Sequence, residues 1–110
     1  IVAPSSDGFH WIHEKNERRV IKLIKQILKY WPIDKQKVII TGYSNGAIGT
    51  WYYSKKHSKL FTAAIPVAGF YKKPSRIKVP MYILHGENDE LFNATLVEAA
   101  IKKSIEKIQK

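Results

Sequence analysis

The sequence predicts an α/β fold in which helices pack on a mainly parallel β-sheet. Short runs of β-branched and other apolar residues alternate along the chain with segments of helical periodicity. The short runs are apolar at consecutive positions, which is typical of strands inside a parallel sheet. A turn of glycine and serine joins one of these strands directly to a helix. No repeat or composition break divides the 110 residues, so we expect one domain over residues 1–110.

Composition excludes several classes of protein. The chain is 45% hydrophobic and 25% charged, and it carries a formal net charge of +10. Its lysines are dispersed and are not interleaved with aromatic residues, so we interpret them as a solvated surface and expect no nucleic-acid partner. No stretch approaches the roughly 20 apolar residues of a membrane span. The absence of cysteine excludes disulfides, thiolate catalysis and cysteine metal sites. Nothing in the sequence indicates a cellular compartment.

The first part of the chain predicts the end of a strand, a loop and a helix. Ile1–Pro4 has the pattern of a strand end, and a helix is predicted over residues 14–30. Acidic Glu17 near the start and basic Lys29 near the end suit the helix dipole, and Pro32 cannot continue the helix. The apolar face of this helix consists of Val20, Leu23, Ile24, Ile27, Leu28 and Trp31.

Three further strands are predicted. Val38–Thr41 is short and largely β-branched, and we expect it to be buried on both faces of the sheet. Thr62–Ala68 predicts a second buried strand. Met81–His85 predicts a third, which begins after a proline that is tolerated at this position.

The sequence pattern predicts two further helices. Residues 45–57 predict a helix that starts directly after the first buried strand. Residues 94–109 predict an amphipathic helix with Asn93 as its N-cap. The apolar stripe of that second helix consists of Val97, Ile101, Ile105 and Ile108.

The motif that carries chemistry is Gly42-Tyr43-Ser44-Asn45-Gly46. Gly-x-Ser-x-Gly between a buried strand and a helix is the context of a nucleophile elbow, and this context favours function over a plain connecting turn. We expect Ser44 in a strained backbone conformation, flanked by Gly42 and Gly46 because side chains there would clash. The backbone N–H of Asn45 is a candidate oxyanion-hole donor, supported by the positive end of the helix.

A second motif, His85-Gly86-Glu87-Asn88-Asp89, follows the third predicted strand. Its side chains should therefore lie at the same edge of the sheet as Ser44. A carboxylate there can orient an imidazole and stabilise the imidazolium. Loop aspartates and structural histidines are common, so this motif is less specific than the elbow.

In order along the chain, Val2–Pro4, Val38–Gly46, Leu60–Gly69 and Val79–Asp89 resemble the α/β-hydrolase superfamily. The chain is most similar to the phospholipase/carboxylesterase, dienelactone-hydrolase-like and polyhydroxybutyrate-depolymerase-like esterase branches. The resemblance implies that Ser44 is the nucleophile and that Asp89 is the triad acid. It gives His85 no catalytic role.

The resemblance also implies missing parts. The family's catalytic His lies further along, after another strand, whereas no His follows His85 here. The family also has strands ahead of Ile1. We therefore expect a central fragment: a partial α/β-hydrolase fold that lacks the early strands and the final strand. The chain does not begin with Met and lacks the features of a signal peptide, as expected for an excised piece. Sheet edges exposed in this way would favour association.

Other histidines and aromatic residues are candidates for the site. His57 should lie about 20 Å from Ser44, at the far end of the helix. His10 or His13 follows the first strand and could reach the site, although a surface or pocket-lining position is favoured. The candidate walls of a substrate pocket are Phe9, Trp11 and Phe70, with ordinary packing as an equal alternative.

The predicted function is hydrolysis of a small-molecule carboxylic ester through an acyl-enzyme, without metal or cofactor. The 110 residues alone, without a general base, should be nearly inactive. An oligopeptidase-like serine peptidase domain is one alternative, because it shares the same elbow. A non-catalytic α/β-hydrolase-like binding module is the other, because it would explain the missing His directly.

Overall fold

The computed structural model describes residues 1–71, 77–88 and Lys102. Within them the chain forms, in order, a helix, a strand, a second helix, a short 3₁₀ turn at Ser58–Leu60 and a second strand. The predicted helix over residues 94–109 lies outside the described residues, apart from the helical and exposed Lys102. The elements that the structure describes are α1 (Glu14–Tyr30), β1 (Ile39–Tyr43), α2 (Asn45–Lys56) and β2 (Ala63–Val67).

Helix α1 begins and ends as its sequence predicts. His13 caps the N-terminus, since its Nδ1 accepts a hydrogen bond from the backbone N–H of Lys15 at 3.2 Å. The helix ends at Tyr30, and the extended residue Trp31 precedes Pro32, as expected for a residue before proline. Trp31 does not continue the apolar face of α1, because it lies outside the helix and is largely exposed.

Strands β1 and β2 pair in parallel, with Ile39 opposite Ala63 and Tyr43 opposite Val67. The segment predicted as a third strand, Met81–His85, runs parallel to β2 but contributes only two isolated bridges, at Met81 and Leu84. Helix α2 connects β1 to β2 and packs against both. The result is a βαβ unit within an α/β fold, as predicted.

The prediction that Val38–Thr41 is buried on both faces is wrong. Burial along β1 alternates, and Ile39 and Tyr43 are 58% and 73% exposed. The reason is that α2 covers one face of the sheet, while the other face is uncovered in the part of the chain described here. Tyr82 and Leu84 widen that exposed apolar face. Within the same residues β1 pairs only with β2, so an open edge exists, and association through it stays a prediction.

The core lies between the covered face of the sheet, α2 and the inner side of α1. Ala64 is fully buried at its centre, and Trp51 and Tyr53 contribute the largest buried rings from α2. Val20 and Ile24 of α1 pack against this cluster. The other buried members of the cluster are Phe61, Phe70, Ile77 and Val79.

The loop before α1 is held by one buried amide that the periodicity of α1 does not reveal. Asn16 is 1% exposed, and its Nδ2 donates to the carbonyls of Ser6, Phe9 and His10 at 3.0–3.2 Å. The loop is also tied to α2, because the Tyr53 hydroxyl donates to a loop carbonyl at 2.7 Å. The loop is therefore ordered by buried hydrogen bonds, each of which would cost stability if left unmade.

Glu17 connects α1 to the C-terminal end of α2. Its carboxylate accepts hydrogen bonds from the Tyr52 hydroxyl at 2.6 Å and from Lys56 Nζ at 2.6 Å, and it lies 3.1 Å from His57 Nε2. The Glu17 side chain is 13% exposed. Burial acts to raise the pKa of Glu17, but the hydrogen bonds from Lys56, Tyr52 and His57 outweigh it and lower that pKa to about 2.

We expect Glu17→Gln to lower the free energy of unfolding by about 1–2 kcal/mol at neutral pH, discounted for solvent screening near the surface. The folded-state pKa of Glu17 is depressed from 4.5 to about 2, so its contribution is complete above pH 4.5 and is lost as pH falls toward 2. Urea unfolding at a series of pH values should show less loss of stability over this interval in the variant.

The matched control for that experiment is Glu14→Gln. Glu14 forms an ion pair with Arg18, but both side chains are more than 70% exposed, so the substitution should change stability by less than about 0.5 kcal/mol. Equal effects at the two positions would contradict the role assigned to Glu17.

Candidate active site

Ser44 occupies the sharp corner between β1 and α2. Its backbone has φ 56° and ψ −112°, the strained conformation that the motif predicts. Backbone hydrogen bonds hold Ser44 through both its N–H and its carbonyl. Ser44 N–H donates to the Val67 carbonyl at 2.9 Å, and the Ser44 carbonyl accepts from the N–H groups of Ala47 and Ile48 at 3.0 and 3.2 Å. The backbone that carries the hydroxyl is therefore fixed by β2 and by the first turn of α2.

The two motif glycines differ in the space around them. A Cβ on Gly42 would overlap the backbone of Gly46, so only glycine fits where β1 approaches α2. A Cβ on Gly46 would meet nothing within 4 Å. The expectation that a side chain at Gly46 would clash is therefore wrong among the residues described. The backbone of Gly46 makes the close approach to Gly42, and the position of its missing side chain is open.

Backbone donors lie next to Ser44. Asn45 begins α2, so the N–H groups of Asn45 and Gly46 belong to the first turn, where helices have no internal acceptors. Within the described residues neither N–H donates to a backbone carbonyl. No acidic side chain occupies this first turn. The positive end of the helix dipole is therefore available to an anion beside Ser44.

The remaining predicted site residues differ in burial where the structure describes them. Asp89 lies outside the described residues. Phe70 is 8% exposed and belongs to the core. Trp11 is half-buried and packs against Gly49 on α2. Phe9 is 42% exposed, and its ring lies beside that of His13, with centroids 4.8 Å apart and a tilt of 37° between the planes. A role for these three aromatic residues in a substrate pocket stays a prediction.

The described histidines lie in different parts of the fold. His57 follows the last turn of α2, opposite the Ser44 end, and its Nε2 faces Glu17. It also lines a groove of about 550 Å³ beside α1. His13 is engaged as the cap of α1. The backbone carbonyl of His10 accepts from Asn16, and His85 follows the last sheet bridge.

Sequence reasoning missed the strand end that lies against the elbow. Ala68 has φ 55°, a left-handed conformation that is uncommon for a non-glycine residue. Gly69, which follows it, approaches the Ser44 carbonyl so closely that a Cβ would lie 2.6 Å from that oxygen. The signal was the Ala68-Gly69 pair at the end of the predicted strand Thr62–Ala68, since the observed strand β2 already ends at Val67.

A strand, a strained serine and a helix in this order define the nucleophile corner of an α/β-hydrolase fold. The chain belongs to the dienelactone hydrolase family, whose model matches residues 6–110. The resemblance to the α/β-hydrolase superfamily is thereby confirmed, including its dienelactone-hydrolase-like branch.

Two relatives support the same assignment. The chain is 29% identical over 91 residues to a bifunctional acetylxylan esterase/xylanase of Neocallimastix patriciarum, covering 80% of this chain and 14% of that protein. It is similar to the crystal structure of a thermostable esterase, with a TM-score of 0.73 and 31% identity over 86% of this chain and 26% of that one. The chain thus spans about a seventh and a quarter of these relatives. No helix in the described part is long and apolar enough to cross a membrane.

We expect Gly42→Ala to lower the free energy of unfolding by about 3 kcal/mol, because the added methyl overlaps backbone that cannot rotate away. Thermal and urea unfolding measure the loss. Gly86→Ala is the matched control, since a Cβ there would meet nothing within 4 Å and its φ is not positive. A Gly42→Ala protein as stable as Gly86→Ala would contradict the close approach of β1 and α2.

Proposed function

We propose that this chain carries the nucleophilic part of a carboxylic ester hydrolase that works through a serine acyl-enzyme. The observation that carries the proposal is the strained Ser44, held between β1 and α2 beside the N–H groups of Asn45 and Gly46, which donate to no backbone carbonyl of the described residues. A hydroxyl on such a corner is exposed to substrate while its backbone stays fixed. Membership of the dienelactone hydrolase family and the similarity to an esterase support the same chemistry.

In the proposed first step a histidine base takes the proton of Ser44 Oγ as that oxygen attacks the acyl carbon. The carbonyl oxygen becomes an oxyanion, which accepts a hydrogen bond from the backbone N–H of Asn45. Collapse of the tetrahedral intermediate breaks the bond to the alcohol oxygen, and the histidine returns its proton to the departing alcohol. Ser44 is left as an acyl ester.

In the second step water replaces the alcohol. The histidine takes a proton from water, the hydroxide oxygen attacks the acyl carbon, and Ser44 leaves with the proton restored. Asp89 orients the histidine and stabilises its charged form. The base is proposed to lie outside residues 1–110, because His57 and His13 are held by Glu17 and by the N-terminus of α1.

The proposed reaction requires few chemical features of its substrate, and these features define the substrate class. The chemistry needs an acyl carbonyl and a leaving alcohol, and no cofactor enters it. Because one relative is described as an acetylxylan esterase, acetyl esters are the first substrates to test. Rates of hydrolysis of 4-nitrophenyl esters of increasing acyl length would show which acyl size is preferred. The rate on acetylated xylan would show whether the enzyme prefers small esters or polysaccharide esters.

We expect Ser44→Ala in the full-length protein to abolish labelling by a fluorophosphonate and to lower kcat by about 10⁶-fold, because no nucleophile remains. Ser54→Ala is the matched control. Ser54 is a buried serine of the same helix whose hydroxyl donates to the Thr50 carbonyl at 2.6 Å, and its loss should leave labelling intact. Equal labelling of Ser44→Ala and the unmodified protein would refute the proposed nucleophile.

We expect Asp89→Asn to lower kcat by about 10⁴-fold with a small change in KM, because the amide leaves the histidine in the wrong tautomer. Steady-state kinetics on 4-nitrophenyl acetate measure both constants. Glu87→Gln removes an exposed carboxylate two residues before Asp89 in the sequence and should behave as the unmodified protein. If the two substitutions have the same effect, Asp89 is not the triad acid.

A further inference from the structure

The backbone after β2 lies directly against the nucleophile. Ala68 and Gly69 follow the strand, and Val67 accepts the hydrogen bond from Ser44 N–H. At Gly69 an added Cβ would lie 2.6 Å from the Ser44 carbonyl oxygen and 3.0 Å from the Ala47 side chain. Gly69 has no positive φ, so this position excludes side chains by space alone. The peptide at Gly69 is therefore one wall of the pocket that holds the Ser44 backbone.

A tryptophan on α2 fixes the position of that wall. Trp51 is 5% exposed, and its indole Nε1–H donates to the Gly69 carbonyl at 3.0 Å. The bond is fully buried, so no water can replace it without a rearrangement. Trp51 lies on the same helix that Ser44 begins. The helix therefore holds, through its own side chain, the backbone segment against which its first turn rests.

The turn at Ala68 brings Gly69 into this position. Ala68 has φ 55°, and its N–H donates to the Leu84 carbonyl at 2.8 Å. The strand end is thus bonded on one side to the segment of Met81–Leu84 and on the other to the elbow. A left-handed non-glycine residue persists only where its surroundings impose it. Two such residues, Ser44 and Ala68, lie at the ends of adjacent strands.

We propose that Trp51 and Gly69 are positioning residues that set the distance of Ser44 from the acyl carbon. This proposal rests on the proposed function of Ser44. Gly69 limits how far the Ser44 peptide can move toward β2, and Trp51 prevents Gly69 from moving away. Both residues are buried, so their loss should change the rate of acylation and not the affinity for substrate. Small displacements of a nucleophile are costly, since about 1 Å can lower a rate 100-fold.

The test measures the pre-steady-state burst of 4-nitrophenol that accompanies acylation of the full-length protein by excess 4-nitrophenyl acetate. Trp51→Phe removes the indole donor and keeps an aromatic ring in the core. We expect its acylation rate constant to fall about tenfold with KM nearly unchanged. The burst amplitude reports the folded fraction, whereas the rate constant reports the geometry of molecules that are folded. A purely structural role for Trp51 would lower only the amplitude.

Tyr52→Phe is the matched control for that variant. It also removes one aromatic hydrogen-bond donor from α2, but the Tyr52 hydroxyl contacts Glu17 and Lys56 at the other end of the helix. Its acylation rate constant should equal that of the unmodified protein. Gly69→Ala is the second probe, because its methyl pushes on the Ser44 carbonyl without removing any hydrogen bond. We expect that variant to lose about 100-fold in rate constant.

The outcomes separate the two proposals. If Ser44→Ala still forms an acyl-enzyme, the proposed function is wrong. Suppose that Ser44→Ala is inert while Trp51→Phe and Gly69→Ala are acylated at the rate of the unmodified protein. The assignment of Ser44 as nucleophile then holds, and the positioning role of Trp51 and Gly69 is overturned. An equal slowing in Tyr52→Phe and Trp51→Phe also overturns it. Should Trp51→Phe not fold, the rate constant of Gly69→Ala decides.

Discussion

The close approach of α2 to the ends of β1 and β2 is the constraint on which the rest of the structure depends. A helix can begin directly at a strand end only if backbone meets backbone, with no Cβ between them. That requirement selects glycine at Gly42 and at Gly69. It also forces Ser44 into a left-handed conformation, and the hydrogen bond from Ser44 N–H to Val67 stabilises that conformation. The backbone strain of Ser44 and the close packing of α2 on the strand ends therefore have the same geometric cause.

Much of this arrangement could be predicted from local pattern. The spacing of apolar residues indicated α1 over the residues where the structure has it, and the structure's α2 ends at Lys56, one residue before the predicted end. The strand β1 was predicted one residue early and ends two residues later than expected. The nucleophile elbow was found because its glycines and serine occur together in five consecutive residues. Such features depend on near neighbours in the chain, so the sequence contains their signal.

What the sequence could not provide depends on contacts between distant residues. Nothing near Glu17 indicates that its carboxylate accepts bonds from Tyr52 and Lys56, which lie on another helix. Asn16 has the spacing of an ordinary helix position, yet its amide is buried under the preceding loop. Burial on both faces was expected for β1 because its residues are apolar, but hydrophobicity alone does not say which face an element covers. Pattern predicts elements, whereas packing partners must be observed.

Among the described residues, the backbone that contacts the Ser44 peptide lies between Gly42 and Gly69, within one strand, one helix and the next strand. The paired residues of β1 and β2 are 24 positions apart in sequence, and the entropy lost on closing a loop grows only slowly with its length. The peptide that carries the Ser44 hydroxyl is therefore held by one continuous βαβ segment. A catalytic partner supplied by a more distant residue would meet a nucleophile whose backbone is held independently of that partner.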